Sequence, residues 1–97
     1  MTKYQQTFQE MVEYNPNLFS AFTKAHELYT KDPQKYQKQF NELGQEVLDI
    51  IRKYENILCS TSEGGKYGKF SSNLSEKFWT IIRSQFPKID FVGLQNP

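Results

Sequence analysis

Ninety-seven residues make one domain, with room for a single core and none for a second. Twelve basic and eleven acidic side chains nearly cancel, which excludes the strong whole-molecule positive field typical of nucleic-acid and acidic-membrane binders and leaves any electrostatic function local. Only 37% of residues are apolar but 15% are aromatic, so the sequence predicts a folded core built from a few large rings rather than a disordered chain.

Cys59 is the only cysteine, which rules out an intrachain disulfide and a cysteine-rich metal site and fits a reduced, cytoplasmic setting. Met1 to Glu10 has no apolar stretch of signal-peptide length, and nowhere do the roughly 18 apolar residues of a membrane-spanning helix run together. Neither signal-directed export nor a membrane contact is expected.

Tyr4, Phe8, Met11 and Val12 share one face of a first short helix over residues 3 to 14, with Gln5, Gln6, Gln9 and Glu10 off it. Asn15-Pro16 then offers a side-chain cap and a first-turn proline, whose missing N–H is not needed there. A second helix over residues 16 to 30 follows, with Leu18, Phe22, Ala25 and Tyr29 at four-then-three spacing and Phe19 widening the stripe. Asp32-Pro33 repeats the device and starts a third.

Tyr36, Phe40, Leu43, Val47, Ile50, Tyr54 and Ile57 continue that spacing over residues 33 to 58, a helix of roughly 39 Å that must cross the whole molecule. Gly44, Ile51 and Leu58 form an adjoining column, with Leu48 beside it, so the face is too wide and too aromatic for a two-stranded zipper. Packing on the chain's own helices, and hence a monomer, is favoured over a homodimer. Gly44 inside that face costs about 1 kcal/mol of helix propensity relative to Ala, which a closely approaching neighbour helix or a kink would explain.

After Cys59 the composition shifts to Ser60-Thr61-Ser62-Glu63-Gly64-Gly65-Lys66-Tyr67-Gly68-Lys69, read as a glycine-rich loop through which the long helix does not continue. Asn73 with Glu76 resembles a capping box and opens a last helix over residues 73 to 86, whose Leu74, Phe78, Trp79, Ile81, Ile82 and Phe86 face inward until Pro87 stops it. Ile89 and Phe91 alternate with Lys88 and Asp90, which predicts a short extended tail with both apolar side chains inward. A ribbon pairing of that tail with Lys66 to Phe70 is conceivable, although Gly68 interrupts one partner.

Chemistry is sparse. Gly64 and Gly68-Lys69-Phe70 lack the spacing, the hydroxyl and the strand-to-helix context of a phosphate-binding loop, though consecutive glycines beside Lys66 and Lys69 suit an anion-accepting nest. His26 and Glu27 are neighbours on a helix and point apart, and Cys59 lacks a base near it in sequence, so no catalytic pair emerges. Glu42, Glu46 and Asp49 form an acidic column without the Glu-x-x-His partners of a di-metal bundle, and Asp49 has Lys53 four residues on. Beyond Ser60, Lys66, Lys69, Lys77, Arg83 and Lys88 outnumber Glu63, Glu76 and Asp90, whereas acids slightly outnumber bases before it. Trp79 reads as either a core plug or an interface anchor.

The sequence thus predicts an all-α, irregular four-helix bundle as a single domain over residues 1 to 97, with one long central helix, a glycine-rich loop and a short extended C-terminal tail. No enzyme activity and no cofactor are expected. The function it favours is a non-catalytic protein-protein interaction module whose partner surface comprises Lys66, Tyr67, Lys69, Phe70, Lys77 and Arg83. The alternative is a small nucleic-acid-binding protein that uses the same basic and aromatic patch.

Overall fold

In a computed structural model the backbone is described for residues 2–63 and 68–93 and the side chains for residues 2–59 and 73–93. Among the described residues there are four α-helices, α1 (Lys3–Tyr14), α2 (Pro16–Lys31), α3 (Pro33–Glu63) and α4 (Gly68–Gln85), followed by a 3₁₀ turn at Ile89–Phe91. Among the described residues there is no strand.

Local chemistry explains most of the helix starts. Thr2 and Gln5 form a reciprocal capping box on α1, in which Thr2 Oγ1 accepts the Gln5 N–H and Gln5 Oε1 accepts the Thr2 N–H. At α3 the expected cap is present, with Asp32 Oδ1 accepting the Lys35 N–H at 3.3 Å. At α2 it is not. Pro16 occupies the first turn, but the Asn15 side chain makes no cap bond and instead donates back to the Met11 carbonyl at 2.9 Å, closing α1 rather than opening α2.

The four helices fill three columns. Lys77 of α4 lies over Tyr4 of α1, Phe86 lies beside Phe19 and Phe22 of α2, and Phe91 shares a small hollow with Tyr29 and Thr30. The chain after the α3–α4 turn therefore runs alongside α1 and α2 in the same direction, and both columns run antiparallel to α3. At about 1.5 Å per residue a helix the length of α3 is about 46 Å long. The longest dimension of the molecule is 46 Å, so α3 alone sets its axis.

The core changes character along that axis. At the α2 end it is aromatic: the Phe40 ring stacks on Tyr29 at 4.1 Å and on Phe22 at 5.4 Å, and Phe22 meets Phe86 edge-on at 5.0 Å. At the α1 and α4 end it is mainly aliphatic, with Met11, Val47, Ile51, Leu58 and Ile82 fully buried around Phe78. The buried line on α3 is Gln37, Phe40, Gly44, Val47, Ile51 and Leu58, not the predicted seam. Tyr36, Leu43, Ile50 and Tyr54 are half-buried at its edge, and Ile57 is 45% exposed. A helix held between columns buries the middle of its apolar sector, which the densest row of apolar residues need not mark.

Four expectations about the carboxyl half are corrected. The long helix continues past Leu58 through Ser60, Thr61 and Ser62 to Glu63, because each such residue costs only a few tenths of a kcal/mol in a helix; the described helix ends where Gly64-Gly65 begins. The last helix starts at Gly68, so Asn73 and Glu76 lie inside it and form no capping box. The backbone of residues 68 to 70 is helical, which removes the proposed ribbon pairing there. The tail is a 3₁₀ turn rather than extended, with Ile89 buried but Phe91 40% exposed.

Candidate functional site

Of the six residues expected at a partner surface, Lys66 and Tyr67 lie outside the described residues. Lys69 and Phe70 belong to the first turn of α4, with side chains outside those described. Lys77 and Arg83 are exposed on α4, and the helix separates them: six residues amount to about 240° of rotation, so they sit roughly 120° apart. Lys77 Nζ lies over the Tyr4 ring at 5.6 Å, on the flank that faces α1. Arg83 lies over Trp79 at 5.4 Å on the flank that faces α3 and donates to both oxygens of Asp90, at 3.0 and 3.3 Å. That ion pair is more than half exposed, so it contributes about 0–1 kcal/mol, but it neutralises the guanidinium locally.

Trp79 packs against the edge of the core without being fully buried in it. Its half-buried indole Nε1–H donates to Glu55 Oε2 at 2.9 Å, and the same oxygen accepts the Ser75 hydroxyl. The carboxylate thus ties α3 to α4 across their interface, and the stacked Arg83 continues the link to Asp90 in the 3₁₀ turn. Glu55 carries no motif, since its partners are 20 and 24 residues away across the α3–α4 turn.

A second cluster was not visible in the sequence. Residues 88 to 93 are held by side chains of the other two columns. The Lys88 backbone N–H donates to His26 Nε2 at 3.0 Å. The buried amide of Gln37 donates to Asn41 Oδ1 at 2.8 Å and, more weakly, to the Phe91 carbonyl at 3.4 Å, and Asn41 Oδ1 accepts the Gly93 N–H at 2.7 Å. Val92 lies on Gly44, where a Cβ would come within 2.5 Å of it, so the close neighbour that explains this glycine is the C-terminal segment, not a helix. Gly93 itself takes φ +93°, a conformation side chains disfavour.

His26 sits among the rings of Phe22, Phe40 and Phe86, at 6.3, 6.0 and 5.7 Å. Burial holds its imidazole below the ordinary value of 6.5, Lys88 lowers it further, and Glu27 opposes both. Its ring lies beside Phe40, whereas Cys59 is about 28 Å further along α3, so the two do not form a dyad. Glu42, Glu46 and Asp49 are exposed, and Asp49 pairs with Arg52 at 3.7 Å in preference to Lys53. Among the described residues no group of three or more His, Cys, Asp or Glu side chains is placed to hold a metal ion. No described helix is long and apolar enough to cross a membrane.

One further concavity, about 330 Å³, opens at the α1–α2 elbow between Phe8, Val12, Phe19, Thr23 and Phe86. No family model, curated protein or solved structure matches the chain.

Proposed function

We propose that the chain is a non-catalytic protein-interaction module that meets its partner through the α3–α4 turn and the outer side of α4, at Lys66, Tyr67, Lys69, Phe70, Lys77 and Arg83. The observation that supports this most is Ile57, a large apolar side chain 45% exposed near the end of α3, at the same end of the molecule as the turn. An exposed aliphatic near the end of α3, followed in the sequence by Lys66, Tyr67 and Lys69, supplies the mixture of apolar, aromatic and charged side chains that protein interfaces use. The other end of the molecule is occupied by the chain's own C-terminal segment.

Support for the nucleic-acid alternative is thinner. Arg83 is engaged by Asp90, and Lys77 projects from a different flank of α4, about 120° away, so these two cations do not combine into one phosphate-gripping patch. The reading takes the protein as a cytoplasmic monomer, on the strength of its lone thiol and its self-packed aromatic core. In the test, a Tyr67→Ala/Lys69→Ala variant is expected to keep its helix content and melting temperature while losing the partner that the unaltered chain binds. Unfolding of that variant would assign the turn a structural role and contradict the reading. Affinity for single-stranded DNA or RNA that falls steeply between two salt concentrations would favour the alternative instead.

A further inference from the structure

The C-terminal segment is fastened at its start by an acceptor that a proton can remove. Lys88 N–H points at His26 Nε2, which accepts only while the imidazole is neutral. A protonated ring would present an N–H to an N–H. Downstream, the segment is held by the buried Ile89 side chain, by the Asp90 carboxylate on Arg83, by Gln37 at the Phe91 carbonyl, by Asn41 at the Gly93 N–H and by Val92 on Gly44, none of which involves the imidazole. The charged groups facing the imidazole are Lys88 from the segment itself and Glu27 from α2, while α3 offers it the uncharged ring of Phe40 and the end of the α4 column that of Phe86. Protonation would therefore place a second cation beside Lys88, with Glu27 offsetting part of the repulsion.

The geometry points to a proton-operated clasp: neutral His26 fastens the segment from Lys88 to Gly93 onto the α2–α3 face, and its protonation releases that segment while the helices stay packed. The inference is independent of any partner at the α3–α4 turn.

The direction follows from linkage. In the clasped form the imidazole resists protonation, and in the released form it titrates near its ordinary value. The clasp is at full strength above pH 6.5 and weakens as pH falls through the window below it, down to the depressed value. One proton is involved, so the released-to-clasped ratio rises by at most about tenfold per pH unit within that window. His26 is the only histidine, and no other side chain ordinarily changes charge there.

Amide hydrogen exchange followed by NMR on the full chain tests this, with rates normalised to the intrinsic rate at each pH. Between pH 7.5 and 5.0 the protection of the Lys88 and Gly93 amides is expected to fall severalfold with the midpoint of the His26 ring titration, while that of Val47 and Ile51 in α3 stays constant. A His26→Phe variant, which keeps a ring in the aromatic cluster but offers no acceptor, is expected to show low protection at Lys88 at every pH and no pH step. Unchanged protection across the range, loss at Val47 and Ile51 in parallel with Lys88, or the same pH step in His26→Phe would each overturn the clasp.

Discussion

The Glu55 carboxylate accepts from the Ser75 hydroxyl and the Trp79 indole, so one side chain fixes the relative placement of α3 and α4 close to the turn that joins them. Removing an ionised acceptor from two half-buried donors costs about 1–2 kcal/mol, less than a fully buried site would, because water can reach the freed N–H and O–H. Trp79 is the only tryptophan and reports on this directly. Glu55→Ala is expected to shift its fluorescence to longer wavelength and to lower the urea midpoint, with the slope of the transition unchanged. Emission and midpoint both equal to those of the unaltered chain would show that the carboxylate holds nothing in place. This contact was illegible in the sequence because Glu55 reads as one more acid on a polar helix face. Phe40, by contrast, is legible, since it is a large aromatic on the four-then-three apolar row of α3, and it is fully buried.

At the scale of elements, helix starts were easier to read than helix ends. Asp32-Pro33 carries its own chemistry, and even where Asn15 turned its amide the other way, Pro16 still marked the boundary. Ser60-Thr61-Ser62 looked like a loop by composition, but hydroxyl residues only weakly oppose a helix already nucleated by a long packed stretch. The conformation of the C-terminal segment is not legible for a different reason: its partners Gln37, Asn41 and His26 lie 52 to 62 residues away, beyond any periodicity. Gly44 is where that segment and α3 meet most closely. Gly44→Ala should gain about 1 kcal/mol of helix propensity and lose more by overpacking against Val92, for a net loss of about 1 kcal/mol and reduced protection of the Gly93 amide. Adding Val92→Ala should restore both in a double-mutant cycle. Additive effects of the two changes would mean that the residues do not press on one another.

For the whole molecule, α3 acts as an axis with different occupants at its two ends. One end is covered by residues 88 to 93 over an aromatic core; the other carries the end of α3 with the exposed Ile57. The all-α architecture and the central helix were legible from periodicity and capping, as a long amphipathic helix in a short chain permits few other packings. The surface chemistry was less so, since Lys77 and Arg83 look adjacent in sequence yet leave α4 on separate flanks. The proposed working surface lies where α3 gives way to α4. Its most direct measurement is photo-crosslinking in the native cell, with a reactive residue placed at Tyr67 in one variant and at the exposed Glu42, on the polar column of α3, in another. A discrete, nuclease-resistant product from position 67 and none from position 42 is the predicted result; a product from position 42 alone, or one that nuclease removes, would contradict it.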